Sequence, residues 1–311
     1  MPSHYEAFMN KSSWARMSFI DKVRWRNLHP IMNSWYFADK ILAKDIARQR
    51  APECKTARIL QIPEKLQDID IRTLPKDYVF KANHGSGWYI KVKDGRNVST
   101  GENVTNSILI EAAKDWLSRI CSWGNEKQYI PITPRIFFEE YLGEIQEVRC
   151  FCFDGAVKFI MVDIALSGAI KSTIYDRNWK RIHAQWRDPR GSDIAKPKNL
   201  PKLIRIADEL AAGIDFVRID MYIKGNDVYF GEFTFTPNGG QGSITPLEFD
   251  RLWGSYWTHD MAKELELKIP TGVKKISSSR LYMNVHMNAS VLVRGVKYAL
   301  RKCRNLFPKI A

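Results

Sequence analysis

Two acidic residues on what read as neighbouring apolar strands constrain this chain more than any other feature. Phe216-Val217-Arg218-Ile219-Asp220 is followed, after the turn residues Lys224-Gly225-Asn226-Asp227, by Tyr229-Phe230-Gly231-Glu232-Phe233-Thr234. The spacing predicts a β-hairpin with Asp220 and Glu232 roughly opposite one another. Period two puts Arg218 on one face with Asp220, and Glu232 on one face with Thr234. Carboxylates on apolar strands are costly to bury unpaired, and two brought together repel unless a cation lies between them. A hard divalent ion bound by oxygen, such as Mg²⁺, answers that requirement. The alternative is a surface hairpin carrying two unrelated acids.

The rest of the composition sets bounds. At 311 residues the chain is about two domains long, and 45% hydrophobic content excludes disorder as the main state. No stretch reaches the roughly 18 apolar residues of a membrane span; Phe159 to Ile170 is interrupted by Asp163, Ser167 and Gly168. Asn10, Lys11, Arg16, Asp21 and Arg24 near the start leave no apolar run for a secretory signal, so a cytoplasmic location is expected. Lys and Arg number 48 against 34 acids, a formal charge of +14. That balance favours anionic partners without choosing among nucleic acid, phosphorylated substrates and an anionic membrane. Motifs for nucleic-acid recognition are absent, so nucleic acid is not expected. Five cysteines without metal-ligand spacing read as reduced thiols.

Along the chain, the first ~75 residues read as basic and helical, with one helix from Trp14 to Leu28 and a second from Ser34 or Asp39 to about Arg50. Tyr78-Val79-Phe80-Lys81 then reads as a strand, Ala82-Asn83-His84-Gly85-Ser86-Gly87 as a glycine-bearing turn, and Trp88 to Lys93 as a second strand. Such a turn allows backbone amides to approach an anion, although a plain hairpin turn has the same signature. It is neither a Walker loop nor a dinucleotide fingerprint. A helix is expected from Asn106 to Cys121. Strands follow at Arg135–Leu142, Val148–Phe153 and Val157–Ile164, with a helix at Leu203–Ala212 and another at Pro246–Ala262. Glu139 and Glu140 end an apolar strand, and Glu147 follows shortly after; acids so placed can accept hydrogen bonds from ribose or adenine. From Asn288 onward the pattern is that of a basic amphipathic helix.

The order of these pieces resembles the ATP-grasp superfamily, and more narrowly the TupA-like ATP-grasp family of bacterial surface-polysaccharide biosynthesis. The resemblance rests on Phe80-Lys81-Ala82-Asn83-His84-Gly85-Ser86-Gly87-Trp88, Glu139-Glu140-Tyr141-Leu142, Arg149-Cys150-Phe151-Cys152-Phe153-Asp154-Gly155, Lys196-Pro197-Lys198-Asn199-Leu200, Phe216 to Asp220 and Gly231 to Phe235. It implies an α+β ATP-grasp fold, in which two α+β subdomains grip ATP. The division expected is a helical N-terminal region over 1–75, a lid subdomain over 76–138, a metal-bearing subdomain over 139–270 and a basic helical tail over 271–311. The resemblance also implies roles. Lys81 and Lys40 would contact the ATP phosphates, and His84, Gly85, Ser86 and Gly87 would form a mobile flap over them. Glu139, with the backbone of Glu140, Tyr141 and Leu142, would hold adenine, and Glu147 the ribose. Arg218 would face the transferring phosphoryl group, with Lys81 adding a fixed cation, and Asp220, Glu232 and Thr234 would hold Mg²⁺.

The activity implied is that of a carboxylate–amine ligase working through an acyl phosphate. Its substrates would be an amino acid or other amine and a uronic-acid-bearing surface glycan or its precursor, with the basic segments resting against an anionic membrane face or the glycan. A glycosyltransferase from the same biosynthetic setting is the alternative enzyme class, and a charge-driven binding module the alternative without catalysis.

Overall fold

The computed structural model describes residues 11–119, 126–166, 169–258 and 266–273. Through Thr271 they belong to one compact unit. The basic helix expected from Asn288 onward lies outside the described residues.

The chain opens with four short helices, α1 (Lys11–Arg16), α2 (Phe19–Leu28), α3 (Ser34–Ala38) and α4 (Leu42–Arg50). The single helix expected from Trp14 to Leu28 is in fact two, because Ser18 caps a new start: its backbone is extended and its hydroxyl accepts from the Asp21 amide. Asp39 ends α3 and turns the chain into α4 by accepting the amides of Ile41 and Leu42 through Oδ1. The next strands are β1 (Lys55–Thr56), β2 (Ile59–Gln61), β3 (Tyr78–Ala82), β4 (Tyr89–Lys93) and β5 (Arg96–Asn97), then helix α5 (Asn106–Leu117). The remainder runs β6 (Ile136–Glu140), β7 (Gln146–Phe153), β8 (Ala156–Leu166), β9 (Ala169–Asp176), β10 (Arg181–Ile182), β11 (Gln185–Trp186), α6 (Leu200–Ala211), β12 (Phe216–Lys224), β13 (Asp227–Thr234), β14 (Ile244–Thr245) and α7 (Leu247–Tyr256).

Two sheets organise these elements. The larger has the order β1-β13-β12-β7-β8-β9-β10 and the smaller β2-β6-β3-β4-β5. A boundary at 75/76 does not describe this arrangement, since β1 joins the large sheet and β2 the small one. A boundary at 138/139 would cut β6. Strand β9 was not expected from the sequence; it pairs with β8 along its full length from Phe159↔Asp176 to Leu166↔Ala169.

Each sheet buries one face in an aromatic core. Phe80 and Phe138 of the small sheet pack with Leu109, Ala113 and Trp116 of α5, and the Phe80 ring stacks on Trp116. Beneath the large sheet, Phe19 of α2 meets Phe151, Phe153, Phe216, Trp186 and Trp253 edge-on. Fully burying such rings is worth roughly 1.5–3 kcal/mol each. Two cations enter that core from α2. Lys22 Nζ donates to the carbonyls of Gly254 (2.7 Å) and Trp257 (2.9 Å), and Arg26 forms a two-pronged ion pair with Asp215. Cys54, Cys150 and Cys152 are buried, unbridged thiols, and burial pushes Cys54 up to about 12.

Candidate active site

The charges lie on the same face of the large sheet as that core, farther along its strands, with Arg218 opposite Phe151 and Asp220 opposite Arg149, and a bulge between β12 and β13 decides which ones. Leaving the turn, the hairpin pairs Lys224↔Asp227 through Met221↔Phe230; beyond it the pairing is Asp220↔Glu232, Ile219↔Phe233 and Arg218↔Thr234. Gly231 is the extra residue. In a straight ladder of the same sequence Asp220 would oppose Gly231 and Glu232 would point into the apolar layer, because a one-residue slip reverses every side chain. A Cβ on Gly231 would lie 2.8 Å from the Asp220 carbonyl oxygen, so the close approach needs glycine. Arg218, Asp220, Glu232 and Thr234 therefore share one face.

Their contacts form a continuous chain. Arg218 donates from Nε to Asp220 Oδ1 and from Nη2 to Oδ2, both at 2.6 Å, and from Nη2 to Thr234 Oγ1 at 3.2 Å. The Thr234 hydroxyl donates to Glu232 Oε1 (3.2 Å), and Lys40 Nζ sits 2.9 Å from Glu232 Oε2. Burial pushes the Asp220 carboxyl up to about 6, with Arg218 pulling it down and Glu232 adding to the rise. Burial also works against charge on Glu232, but Lys40 and then Arg218 outweigh it and bring its carboxyl down to about 2.

The same face continues onto β7 and β8. Arg149 is registered opposite Asp220, receives Glu147 at 3.0 Å on Nε and meets Asp163 at 2.5 Å through Nη1. Glu147 thus lies beside Arg149, opposite Tyr222. Burial raises the Tyr222 phenol well above its usual range, reinforced through space by Glu147, Glu232, Asp220 and Glu139. Acids from both sheets therefore converge on this one side chain.

Between β3 and β6 of the small sheet the register is straight. Lys81 pairs with Phe137 and Val79 with Glu139, which puts Lys81 and Glu139 diagonally on one face. Glu139 is buried between two lysines: Lys81 on Oε1 and Lys44 of α4 on Oε2 at 2.8 Å. Burial opposes its charge, yet Lys81 and Lys44 hold the carboxyl below the ordinary range. Its side chain is thus occupied by lysines, which departs from the expected role of receiving adenine. Glu140 accepts the Arg58 amide at 2.8 Å, fixing the chain ahead of β2. Tyr141 is half-buried and Leu142 buried just beyond.

The flap is divided. His84 is buried, its ring held between Asn83 Oδ1 (3.1 Å) and the carbonyls of Trp116 and Arg119 (3.2 Å each), so it anchors the loop instead of moving with it. Burial lowers its pKa, against those two carbonyls. Gly85 lies under the Trp88 ring, where a Cβ would come within 2.0 Å. Ser86 and Gly87 are exposed.

The α3–α4 corner joins the two sheets. Asp39 Oδ2 accepts from Asn83 Nδ2 and from Arg135, each at 2.9 Å, and the Lys40 amide donates to the Asn83 carbonyl at 3.0 Å. The segment that brings Lys40 to Glu232 is thereby tied to the foot of the flap. Lys44, four residues beyond Lys40, escaped sequence reasoning although the i, i+4 spacing was a usable signal. Asp163 escaped it too, since nothing local marked its strand face. Arg177 and Arg181 are paired with Asp208 and Asp193.

Asp220, Glu232 and Thr234 offer only oxygen, the donor type that suits Mg²⁺. Among the described residues there is no group of three or more His, Cys, Asp or Glu side chains able to hold a metal. The donor set therefore fits an ion that brings most of its ligands with it, as Mg²⁺ does with phosphates and water, and does not fit an all-protein cage.

No curated relative matches the chain. Solved structures similar to it include D-alanine–D-alanine ligase from Bacillus anthracis, at 19% identity over 71% of this chain and 64% of that one (TM-score 0.43). The same enzyme complexed with ATP matches at 16% identity over 64% and 54% (TM-score 0.38). An L-amino acid ligase from Bacillus licheniformis matches at 12% over 66% and 42% (TM-score 0.40). The chain thus spans between two fifths and two thirds of those structures. The model of the family TupA-like ATPgrasp matches residues 21–258, the span that holds both sheets and every charged pair described above. The chain belongs to the TupA-like ATP-grasp family.

Proposed function

We propose that the chain is an ATP-dependent carboxylate–amine ligase that works through an acyl phosphate, joining an amino acid to a uronic-acid-bearing surface glycan or its lipid-linked precursor. The observation that carries this reading is the presence of two charge sets of opposite sense, one on each sheet, tied together through the α3–α4 corner. On the small-sheet side Lys44 and Lys81 outnumber Glu139, which favours phosphate groups. On the large-sheet side Asp220 and Glu232 face each other in register beside Arg218.

In the first step a substrate carboxylate oxygen attacks the γ-phosphorus; the new P–O bond forms as the bond to ADP breaks. Arg218 neutralises charge developing on the transferring group, and Lys81 and Lys44 hold phosphate oxygens. Mg²⁺ held by Asp220, Glu232 and Thr234 would screen repulsion between the phosphates and the incoming carboxylate. In the second step an amine attacks the acyl carbon and inorganic phosphate departs. Lys40, now on Glu232, is placed to transfer its charge to a phosphate when a metal takes the carboxylate. The charge of +14 supports an acidic glycan as acceptor and an approach to an anionic inner membrane face. No helix among the described residues is long and apolar enough to cross a membrane.

The test is ADP release from the purified chain, dependent on Mg²⁺ and on a carboxylate acceptor. Asp220→Asn and Glu232→Gln should each abolish it while leaving the far-UV spectrum unchanged; full turnover in both variants removes the metal assignment. Protection from heat by ATP, and not by a sugar nucleotide, separates this reading from a glycosyltransferase.

A further inference from the structure

Beyond Thr234 the charged line continues to a third carboxyl that neither phosphate nor metal chemistry requires. Thr236, two residues further along, is buried and donates from Oγ1 to Glu126 Oε1 at 2.5 Å. Gln128 donates from Nε2 to the same hydroxyl at 2.5 Å. Gln128 is 2% exposed, and its amide oxygen is buried with no hydrogen-bond partner among the described residues. A second orphaned oxygen belongs to Asn27 of α2: its Nδ2 donates to the Gly239 carbonyl at 2.7 Å while Oδ1 accepts from no group among the described residues. Gly239 is tied to Thr236 by a 2.9 Å backbone bond. Helix α2 packs against both turns that carry these groups, Lys127–Tyr129 and Pro237–Gly240.

A buried acceptor left without a donor is costly, because it has given up water for nothing. Three acceptors gathered by touching elements, two of them unsatisfied, match a ligand with three N–H donors and a positive charge, which is an ammonium group. The place is close to the reacting centre, since Glu126 is held by Thr236, two residues past Thr234 on the same chain.

We propose that Glu126, Gln128 and Asn27 form the pocket for the ammonium group of the amine substrate, and that Glu126 is the base that deprotonates it. The proposal rests on the ligase reading above. The ammonium nitrogen gives one proton to the Glu126 carboxylate and becomes a neutral amine. Its lone pair forms the C–N bond to the acyl carbon, and the C–O bond to phosphate breaks. The second nitrogen proton leaves with the phosphate, and Glu126 returns its own to solvent. Burial pushes the Glu126 carboxyl up to about 7, a basicity suited to this exchange at neutral pH.

The test uses two amines of different need. With glucuronate, ATP and Mg²⁺, the full chain is given each common amino acid singly, or hydroxylamine, which is uncharged at neutral pH and needs no base. Glu126→Gln should lower amide formation about 100-fold while hydroxamate formation stays within about twofold of the parent. Gln128→Met should raise the KM for the amino acid about tenfold with hydroxamate formation unchanged. Equal losses with both amines, or none with either, overturn the proposal; equal losses would mean that the pocket holds only water. If the parent chain makes neither product, the ligase reading fails by itself. The pocket is then judged by ethylammonium chloride, which should raise the melting temperature above that in matched sodium chloride in the parent but not in Glu126→Gln. Absence of that difference removes the pocket as well.

Discussion

The two sheets place their charged pairs by different means and to opposite electrostatic effect. In the small sheet an unbroken ladder sets Lys81 diagonally beside Glu139, and Lys44 arrives from a helix, so two cations share one carboxylate. In the large sheet a bulge at Gly231 brings Glu232 opposite Asp220. Together with Glu147 and Asp163 these make four carboxylates around Arg218, Arg149 and Lys40. One side is a cation-rich place where an anion replaces water at little cost; the other is carboxylate-rich and gains from an added cation. A nucleotide triphosphate with its metal spans such a pair of surfaces with each end matched.

The comparison is most exposed at Arg218. Arg218→Met keeps bulk but removes the guanidinium shared by Asp220, Thr234 and Glu232, and ATP turnover should fall about 1000-fold in an ADP-release assay. A loss below tenfold would show that the carboxylate-rich side does not need this cation. On the small sheet, Glu139→Gln leaves the buried Lys44 without its counter-charge. It should cost about 3 kcal/mol in urea unfolding, and adding Lys44→Met should recover most of that loss. If the single variant is as stable as the parent, the two lysines do not depend on Glu139.

Gly231→Ala tests whether the bulge matters as such. The new Cβ meets the Asp220 carbonyl, and turnover should drop about 100-fold, a loss of roughly 2.7 kcal/mol in transition-state stabilisation. Turnover near that of the parent would show that the register of Glu232 tolerates a straight ladder. The smallest effect is a pH dependence at the far end of the large sheet. Glu126 has its folded pKa raised to about 7 from 4.5, so the folded state holds a proton that the unfolded chain has released. That contribution is complete below the unfolded value and is lost as pH rises through the folded one. Relative to Glu126→Gln, the parent should therefore lose about 2 kcal/mol between about pH 5 and about pH 7.5. Parallel stability curves for the two proteins would show that Glu126 is not buried as described.

Much of this was legible because it depends on short range. The hairpin over Phe216–Thr234, the strand that delivers Lys81 and the helix over Leu200–Ala211 all follow from alternation, turn residues and apolar stripes. The split of the first long helix was harder to see, since one serine hydroxyl decides it. Strand β9 was missed because it shows no apolar alternation: the hydroxyl residues Ser172 and Thr173 are buried beside Ile174 and Tyr175, bonded to Asp163 and the Ser192 carbonyl. His84 resembled a flap residue by its neighbours, yet its ring is fixed by the carbonyls of Trp116 and Arg119, which lie more than thirty residues away. The pairing of Glu139 with Lys44 likewise joins a strand to a helix with no local signal for the contact.

By itself the order of residues determined which atoms are available: two acids and an arginine on one ribbon, a lysine ahead of a glycine turn, and the family to which such an order belongs. Only the folded chain decided which way those atoms face. From the turn outward, a straight hairpin would have hidden Glu232 in the apolar layer; one extra glycine, admitted because it has no Cβ to strike the opposite carbonyl, reverses the side chain and sets it against Asp220. Side-chain direction in a strand has period two, so its sign depends on a count that pairing, not composition, completes.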